Sequence, residues 1–136
     1  MKKFVGFLKY HSCIIFPSIT FILCFLINYK FKLVQLNDDK SSSLTSISSS
    51  FIGVLITILT IYLAVPKSEF VKKRLKESHH EHIYLFNILT GIIILFASTM
   101  SWIFFDNSTI LIMLFLSGVT NIVITIYYTF SLIKLI

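Results

Sequence analysis

The stretch SISSSFIGVLITILTIYLA, residues 46–64, decides the fold of this 136-residue chain. Small or weakly polar residues recur in it at alternating steps of four and three: Ser46, Ser50, Gly53, Thr57, Thr60 and Ala64. This spacing predicts one face of an α-helix, with bulky residues on the opposite face: Phe51, Leu55, Ile58 and Tyr62. We therefore predict a transmembrane helix whose small face meets protein or water and whose bulky face meets lipid.

The composition of the whole chain places it in a membrane. The chain is 56% hydrophobic and 13% charged, with a mean hydropathy of +0.88. A water-soluble domain of this size could not bury so much apolar surface. A membrane span needs roughly 20 mostly apolar residues, and four stretches qualify: about residues 11–30, 46–65, 83–105 and 109–133. The sequence thus predicts an all-α integral membrane protein with a single domain of four transmembrane helices.

Two connectors between the predicted spans have distinct chemistry. Residues 31–45 include a polar, turn-prone run that we expect to be a hydrated connector. Pro66 ends the second span and suits the first turn of a new helix, so residues 66–78 predict a short amphipathic cytoplasmic helix. Its basic side chains are expected to contact anionic lipid headgroups or a partner protein: Lys72, Lys73, Arg74 and Lys76.

The basic residues also predict the orientation of the chain. Nine of the twelve lie on the side that holds both termini, namely Lys2, Lys3, Lys9, Lys67, Lys72, Lys73, Arg74, Lys76 and Lys134. The other three are Lys30, Lys32 and Lys40. Basic residues concentrate in cytoplasmic loops, so we expect both termini in the cytoplasm. The net charge of +6 is explained by this topology, and no direct nucleic-acid binding is expected.

The predicted spans carry no Asp, Glu, Lys, Arg or His in their central portions. Ion-coupled carriers and proton relays depend on such groups, and a hydrolase would need a base beside its nucleophile. We therefore expect neither a transporter nor an enzyme, and no cofactor. The later spans carry polar residues suited to interhelical contacts, chiefly Asn87 and Asn121.

The small face of the second span has two interpretations that the sequence leaves open. Small residues let helix backbones approach closely, so the face is a packing seam within one chain or between chains. Alternatively, several copies turn the face toward one axis, where the hydroxyls of Ser50, Thr57 and Thr60 line a hydrated pore. A homo-oligomer, with a tetramer favoured, would satisfy both interpretations.

The run His79-His80-Glu81-His82 is the only dense ionisable cluster in the sequence. We interpret it as a solvated cytoplasmic connector. Zinc binding by His79, His80 and His82 is the weaker alternative, because the run lacks the HExxH order and a second ligand pair.

In the order of its features the chain resembles two groups of small phage-defence membrane proteins. The residues that carry the resemblance are Ser48-Ser49-Ser50-Phe51-Ile52-Gly53 with the span they open, and the basic run over residues 67–76. One group contains the membrane protein of the Rex exclusion system of lambdoid prophages, and the other the membrane subunit of the Kiwa system. The resemblance implies an oligomeric bacterial inner-membrane protein that senses or executes a response to infection, in the Rex case by letting ions leak.

These observations predict a membrane effector that depolarises the cell when triggered, working with a cytoplasmic defence partner. An alternative is a non-conducting protein that binds another membrane protein, as in bacteriocin immunity or superinfection exclusion. A third alternative is a holin-like lysis protein, although the chain ends Lys134-Leu135-Ile136 without the highly charged tail common in holins.

Overall fold

The computed structural model describes residues 2–31, 37–64, 69, 80–105 and 108–133. Within these residues the chain forms four long α-helices: α1 (Lys2–Phe31), α2 (Asp38–Ala64), α3 (His80–Phe105) and α4 (Ser108–Ile133). The predicted all-helical fold is confirmed. Except for Glu69, the predicted cytoplasmic helix over residues 66–78 lies outside the described residues, as does the basic set Lys72, Lys73, Arg74 and Lys76.

Three of the helices are long and apolar enough to cross a membrane. The qualifying segments are Asp38–Ala64, Glu81–Phe104 and Thr109–Leu132. In α1 the described apolar stretch is the shorter segment Ile14–Asn28, so the first of the four predicted spans is not established by length and composition. Pro17 lies inside α1, where its missing N–H removes one helical hydrogen bond.

Helix α2 begins eight residues before the predicted span, and the predicted connector over residues 31–45 is wrong from Asp38 onward. The reason is a helix start built by Asn37. Its backbone oxygen accepts from the N–H groups of Lys40 and Ser41 at 3.0 and 3.1 Å, and Asp38 and Asp39 in the first turn complement the helix dipole. The serine-rich run therefore continues the helix instead of forming a turn.

The helices are arranged around an α3–α4 hairpin. Helix α2 packs mainly on α3, and α1 packs mainly on α4, whereas the described residues of α1 and α2 do not contact each other. Helices α1 and α2 therefore lie on opposite flanks. Only 11% of the most apolar window of α2 is buried, compared with 44% for α3, so α2 is the more peripheral of the two.

The distribution of side chains is that of a protein in lipid. Large apolar residues project outward from every helix, and examples are Leu26, Leu63, Ile93 and Val123. The interior mixes an apolar core around Leu55, Ile88 and Leu95 with hydroxyl and amide side chains. Polar groups inside and apolar groups outside fit a bundle whose solvent is hydrocarbon, because backbones there associate through small and hydrogen-bonding residues.

Candidate functional site: the outer face of α2 and the polar interior

The small residues of α2 form one exposed surface, which we call the α2 stripe. Its members are Ser46, Ser50, Gly53, Thr57, Thr60 and Ala64, and every one is exposed. They lie on the side of α2 that points away from α3 and α4, opposite the buried Leu55. Among the described residues, the α2 stripe is thus not a packing seam within the chain.

The bulky face of α2 does not meet lipid, which corrects the prediction from sequence. Leu55 is only 1% exposed, and Phe51 stacks on Phe115 of α4 with ring centroids 6.2 Å apart. Tyr62 contacts Tyr84 of α3 edge to face at 5.0 Å. Leu55 is accommodated by a small residue of α3, because Gly91 leaves room for it.

The hydroxyls of the α2 stripe bond to their own helix. Ser50 Oγ donates to the Ser46 carbonyl at 3.0 Å, Thr57 Oγ1 to the Gly53 carbonyl at 2.9 Å, and Thr60 Oγ1 to the Ile56 carbonyl at 2.9 Å. Each proton is therefore satisfied without a partner helix, while the oxygen lone pairs remain able to accept. Such a surface tolerates either a dry helix contact or water.

A second set of polar residues lies between α3 and α4 and makes contacts across the helices. Asn87 Nδ2 donates to Thr125 Oγ1 at 2.6 Å and to the Asn121 carbonyl at 3.2 Å. Further along the hairpin, Ser98 Oγ donates to the Leu111 carbonyl at 3.0 Å. Asn87 and Asn121, which were singled out in the sequence, thus lie together and fully buried in this interface, the α3–α4 seam.

Two glycines allow the close approach within the α3–α4 seam. A Cβ added at Gly91 would lie 2.6 Å from Asn121 Oδ1 and 3.2 Å from Leu55 Cδ1. One added at Gly118 would lie 2.5 Å from Leu95 Cδ2. By contrast, a Cβ at Gly53 of the α2 stripe would meet no described residue within 4 Å. In the part of the chain that the structure describes, the tight interhelical contact belongs to α3 and α4, and the α2 stripe is open.

Helix α1 is held on α4 by polar contacts that the sequence pattern alone did not identify. Ser12 Oγ and Tyr128 OH share a hydrogen bond of 2.9 Å, and Ser117 Oγ donates to the Pro17 carbonyl at 2.9 Å. The hydroxyls of Thr20 and Thr120 lie 3.1 Å apart. These pairings follow the antiparallel course of α1 and α4, which only the tertiary arrangement defines.

The start of α3 carries the described part of the histidine cluster. Glu81 accepts a hydrogen bond of 3.0 Å from Tyr62 OH of α2, and the His82 side chain is exposed. His79 and the His80 side chain lie outside the described residues, and in the part of the chain that is described no three His, Cys, Asp or Glu side chains are grouped to hold a metal ion. His82 instead borders a cavity on the other flank, together with His11.

Fold and surface together define an all-helical protein with three helices able to span a membrane, a polar hairpin seam and an exposed row of small residues on a peripheral helix. No protein-family model matches the chain, and no curated protein and no solved structure shows significant similarity to it.

Proposed function

We propose that this protein is a bacterial inner-membrane effector that assembles through the α2 stripe and permeabilises the membrane when it is triggered. The observation that carries the proposal is the outward position of the α2 stripe on a flanking helix. Within the described part of the chain the bulky face of α2 packs on α3 and α4, and the row of small residues is the surface that remains for another copy.

The shape of this surface suits helix association in lipid. Small side chains allow two backbones to approach closely, and van der Waals packing is a main source of helix affinity in a bilayer. Exposed aliphatic residues border the α2 stripe on both sides, with Val54 and Ile61 on one and Ile56 and Leu63 on the other. A partner helix would therefore lie in a shallow groove that is bordered on both sides by these aliphatic side chains.

Conduction is proposed from the hydroxyls of the same surface. If several copies turn the α2 stripe toward one axis, as in a tetramer, the oxygens of Ser50, Thr57 and Thr60 can accept hydrogen bonds from water. Residues 41–64 contain no charged side chain, so such a pore lacks the charged ring that selects cations or anions. It would depolarise the membrane with little discrimination between ions.

The proposed topology has four spans with both termini in the cytoplasm. Helix α1 continues over 30 residues, about 45 Å at ~1.5 Å per residue, which exceeds the ~30 Å hydrocarbon core. Its hydroxyl contacts with α4 support this assignment, because side-chain hydrogen bonds join helices in a bilayer. The basic residues over 67–76 are proposed to couple the bundle to anionic headgroups or to a cytoplasmic partner.

Anti-phage defence is the proposed setting. Its support is the resemblance of residues 48–65 and of the basic run over 67–76 to membrane proteins of the Rex and Kiwa systems. In that setting infection provides the trigger, and loss of membrane potential stops the phage together with the cell. The chemistry is permeation alone, without catalysis or a cofactor.

A non-conducting binding protein is the second candidate, and the hydrogen bonds of the α2 stripe favour it. Because Ser50, Thr57 and Thr60 already donate to their own helix, the surface can pack dry against a different protein. An immunity or superinfection-exclusion protein would use this surface to occupy its target.

Cysteine crosslinking distinguishes the two candidates. In a background with Cys13 and Cys24 replaced by alanine, Gly53→Cys should give a disulfide-linked dimer in native membranes, because the open space at Gly53 admits a neighbouring copy. Val123→Cys, on the outward face of α4 and 61% exposed, is the matched control and should remain monomeric. If Gly53→Cys is instead crosslinked to a different protein, self-assembly through the α2 stripe is contradicted and the non-conducting binding protein is favoured.

Ion leakage tests the effector itself. In cells under phage challenge, induction of the wild-type chain should dissipate the membrane potential. Thr57→Leu should lower the ion leak by about tenfold, since ~1.4 kcal/mol of lost association or hydration corresponds to that factor. Val123→Leu provides the control for added bulk on an exposed helix face. The proposal that the protein permeabilises the membrane should be abandoned if, in cells under phage challenge, inducing the wild-type chain leaves the membrane potential reported by a dye unchanged.

A further inference from the structure

A groove runs between α1 and α3 because α1 packs mainly on α4. Ser12, Pro17 and Thr20 each share a hydrogen bond with α4, whereas α1 is only loosely packed against α3. Two cavities of about 450 and 390 Å³ follow one another along this gap, and Ile14 lines both. The two cavities adjoin at Ile14, and Leu114 and Ser117 of α4 line the second; we call the pair the α1–α3 groove.

The two ends of the α1–α3 groove differ in chemistry. His11 of α1 and His82 of α3 line one end, which we call the mouth. The other end is lined mostly by apolar side chains, including Phe21, Ile22 and Ile94. The groove is therefore amphipathic along its length, with two imidazoles at one end and a mainly apolar lining beyond them that includes the hydroxyl residues Ser18, Thr90 and Ser117.

The length of the groove matches one leaflet of a bilayer. From His11 to Ile22 the helix advances eleven residues, about 16 Å at ~1.5 Å per residue, and half of a ~30 Å hydrocarbon core is about 15 Å. The rim is open toward the surroundings, since Ile14, Phe86 and Leu89 are each about half exposed. An acyl chain could thus enter sideways from the membrane and run along the gap.

The charges around the mouth favour an anion. The imidazoles of His11 and His82 can donate hydrogen bonds to a phosphate and can carry positive charge. The nearby carboxylate of Glu81 accepts from Tyr62 OH, on the flank where α2 packs, and Glu81 does not line the cavity. A negative headgroup at the mouth would therefore meet donors from both walls of the groove.

We propose that the α1–α3 groove binds one acyl chain of an anionic phospholipid, whose phosphate lies between His11 and His82. The site is on the flank opposite the α2 stripe, and it exists in a single copy of the chain. It is independent of assembly through α2, and of whether the protein conducts ions.

A tryptophan reporter and brominated lipids test the site. Phe86 lines the groove and is 51% exposed, so Phe86→Trp in a Trp102→Phe background places a fluorophore at its wall. Brominated phosphatidylglycerol should quench this reporter at a roughly fivefold lower mole fraction than brominated phosphatidylcholine, the factor for ~1 kcal/mol of headgroup attraction. Val123→Trp in the same background reports an ordinary lipid-facing surface and should show no preference.

Removing both imidazoles should abolish the preference for phosphatidylglycerol over phosphatidylcholine, while the groove should still bind an acyl chain. With His11→Gln and His82→Gln combined, both lipids should quench Phe86→Trp at equal mole fraction, and circular dichroism should show unchanged helix content. The proposal is overturned by equal quenching before the imidazoles are removed, by a preference that survives their removal, or by no quenching from either lipid. The last result would mean that protein, such as a second copy, fills the groove.

Discussion

The α2 stripe and the α3–α4 seam are built from the same kinds of residue at similar helical spacing, yet they occupy opposite environments. In the α3–α4 seam, Asn87 donates across to Thr125, and the space beside Gly118 is filled by Leu95. In the α2 stripe, Thr57 donates back to its own helix, and the space beside Gly53 is open. Small and polar composition therefore marks a surface suited to contact, and the neighbouring helices decide whether that contact lies within the chain.

The largest difference in stability is expected between a substitution at Gly118 of the α3–α4 seam and the same substitution at Gly53 of the α2 stripe. Gly118→Ala would bring a methyl group within 2.5 Å of the fully buried Leu95, so it should lower the free energy of unfolding by about 1–3 kcal/mol, as overpacking does. Gly53→Ala, where no described residue lies within 4 Å, should instead raise it by about 0.5–1 kcal/mol, the helix-propensity gain of alanine over glycine. Thermal unfolding of the detergent-solubilised variants measures both. Equal losses would remove the distinction between the two surfaces.

A smaller difference is expected for the threonines. Thr125→Val deletes one of the two acceptors of Asn87 in the α3–α4 seam and should cost about 0.6–1.7 kcal/mol, the range for interhelical hydrogen bonds in a bilayer. Thr57→Val removes only a hydroxyl bonded to its own helix, so the stability of the single chain should be unchanged. Unfolding with increasing denaturing detergent would compare them. A larger loss of stability in Thr57→Val than in Thr125→Val would mean that the α2 stripe is packed against protein.

The smallest effect is expected at Ser48, on the inner side of α2. Its hydroxyl is buried and accepts or donates no hydrogen bond among the described residues, and burying such a group costs free energy. Ser48→Ala should therefore raise the free energy of unfolding by roughly 0.5–1 kcal/mol. Ser50→Ala, on the exposed side, is the control and should have no effect. A loss of stability in Ser48→Ala would show that its hydroxyl has a bonding partner.

Several features were readable from the sequence because they depend on neighbours along one helix. The periodicity of residues 46–64 and the apolar runs that contain Asn87 and Asn121 predicted long helices, and α2, α3 and α4 have the required length and hydropathy. The start of α2 was mispredicted because a serine-rich run was taken as a loop, although Asn37 and two aspartates build a helix start there.

Other features could not be read from one helix at a time. The lipid-facing side of α2 was wrongly assigned, since Leu55 packs beside Gly91 of α3 and Phe51 stacks on Phe115 of α4. The pairing of Ser12 with Tyr128 joins residues 116 positions apart, and no local pattern encodes such a contact. The α1–α3 groove likewise exists only because α1 packs on α4.

By itself, the sequence determined that this chain is helical, that it is apolar enough for a membrane, and that α2 has two unlike faces, because periodicity and hydropathy are properties of consecutive residues. The tertiary structure alone decided which face of α2 points inward, which glycines have another side chain packed against them, and where a gap remains between helices. The physical reason is that small residues permit close approach without specifying a partner, so their use depends on which bulky side chain the fold brings against them.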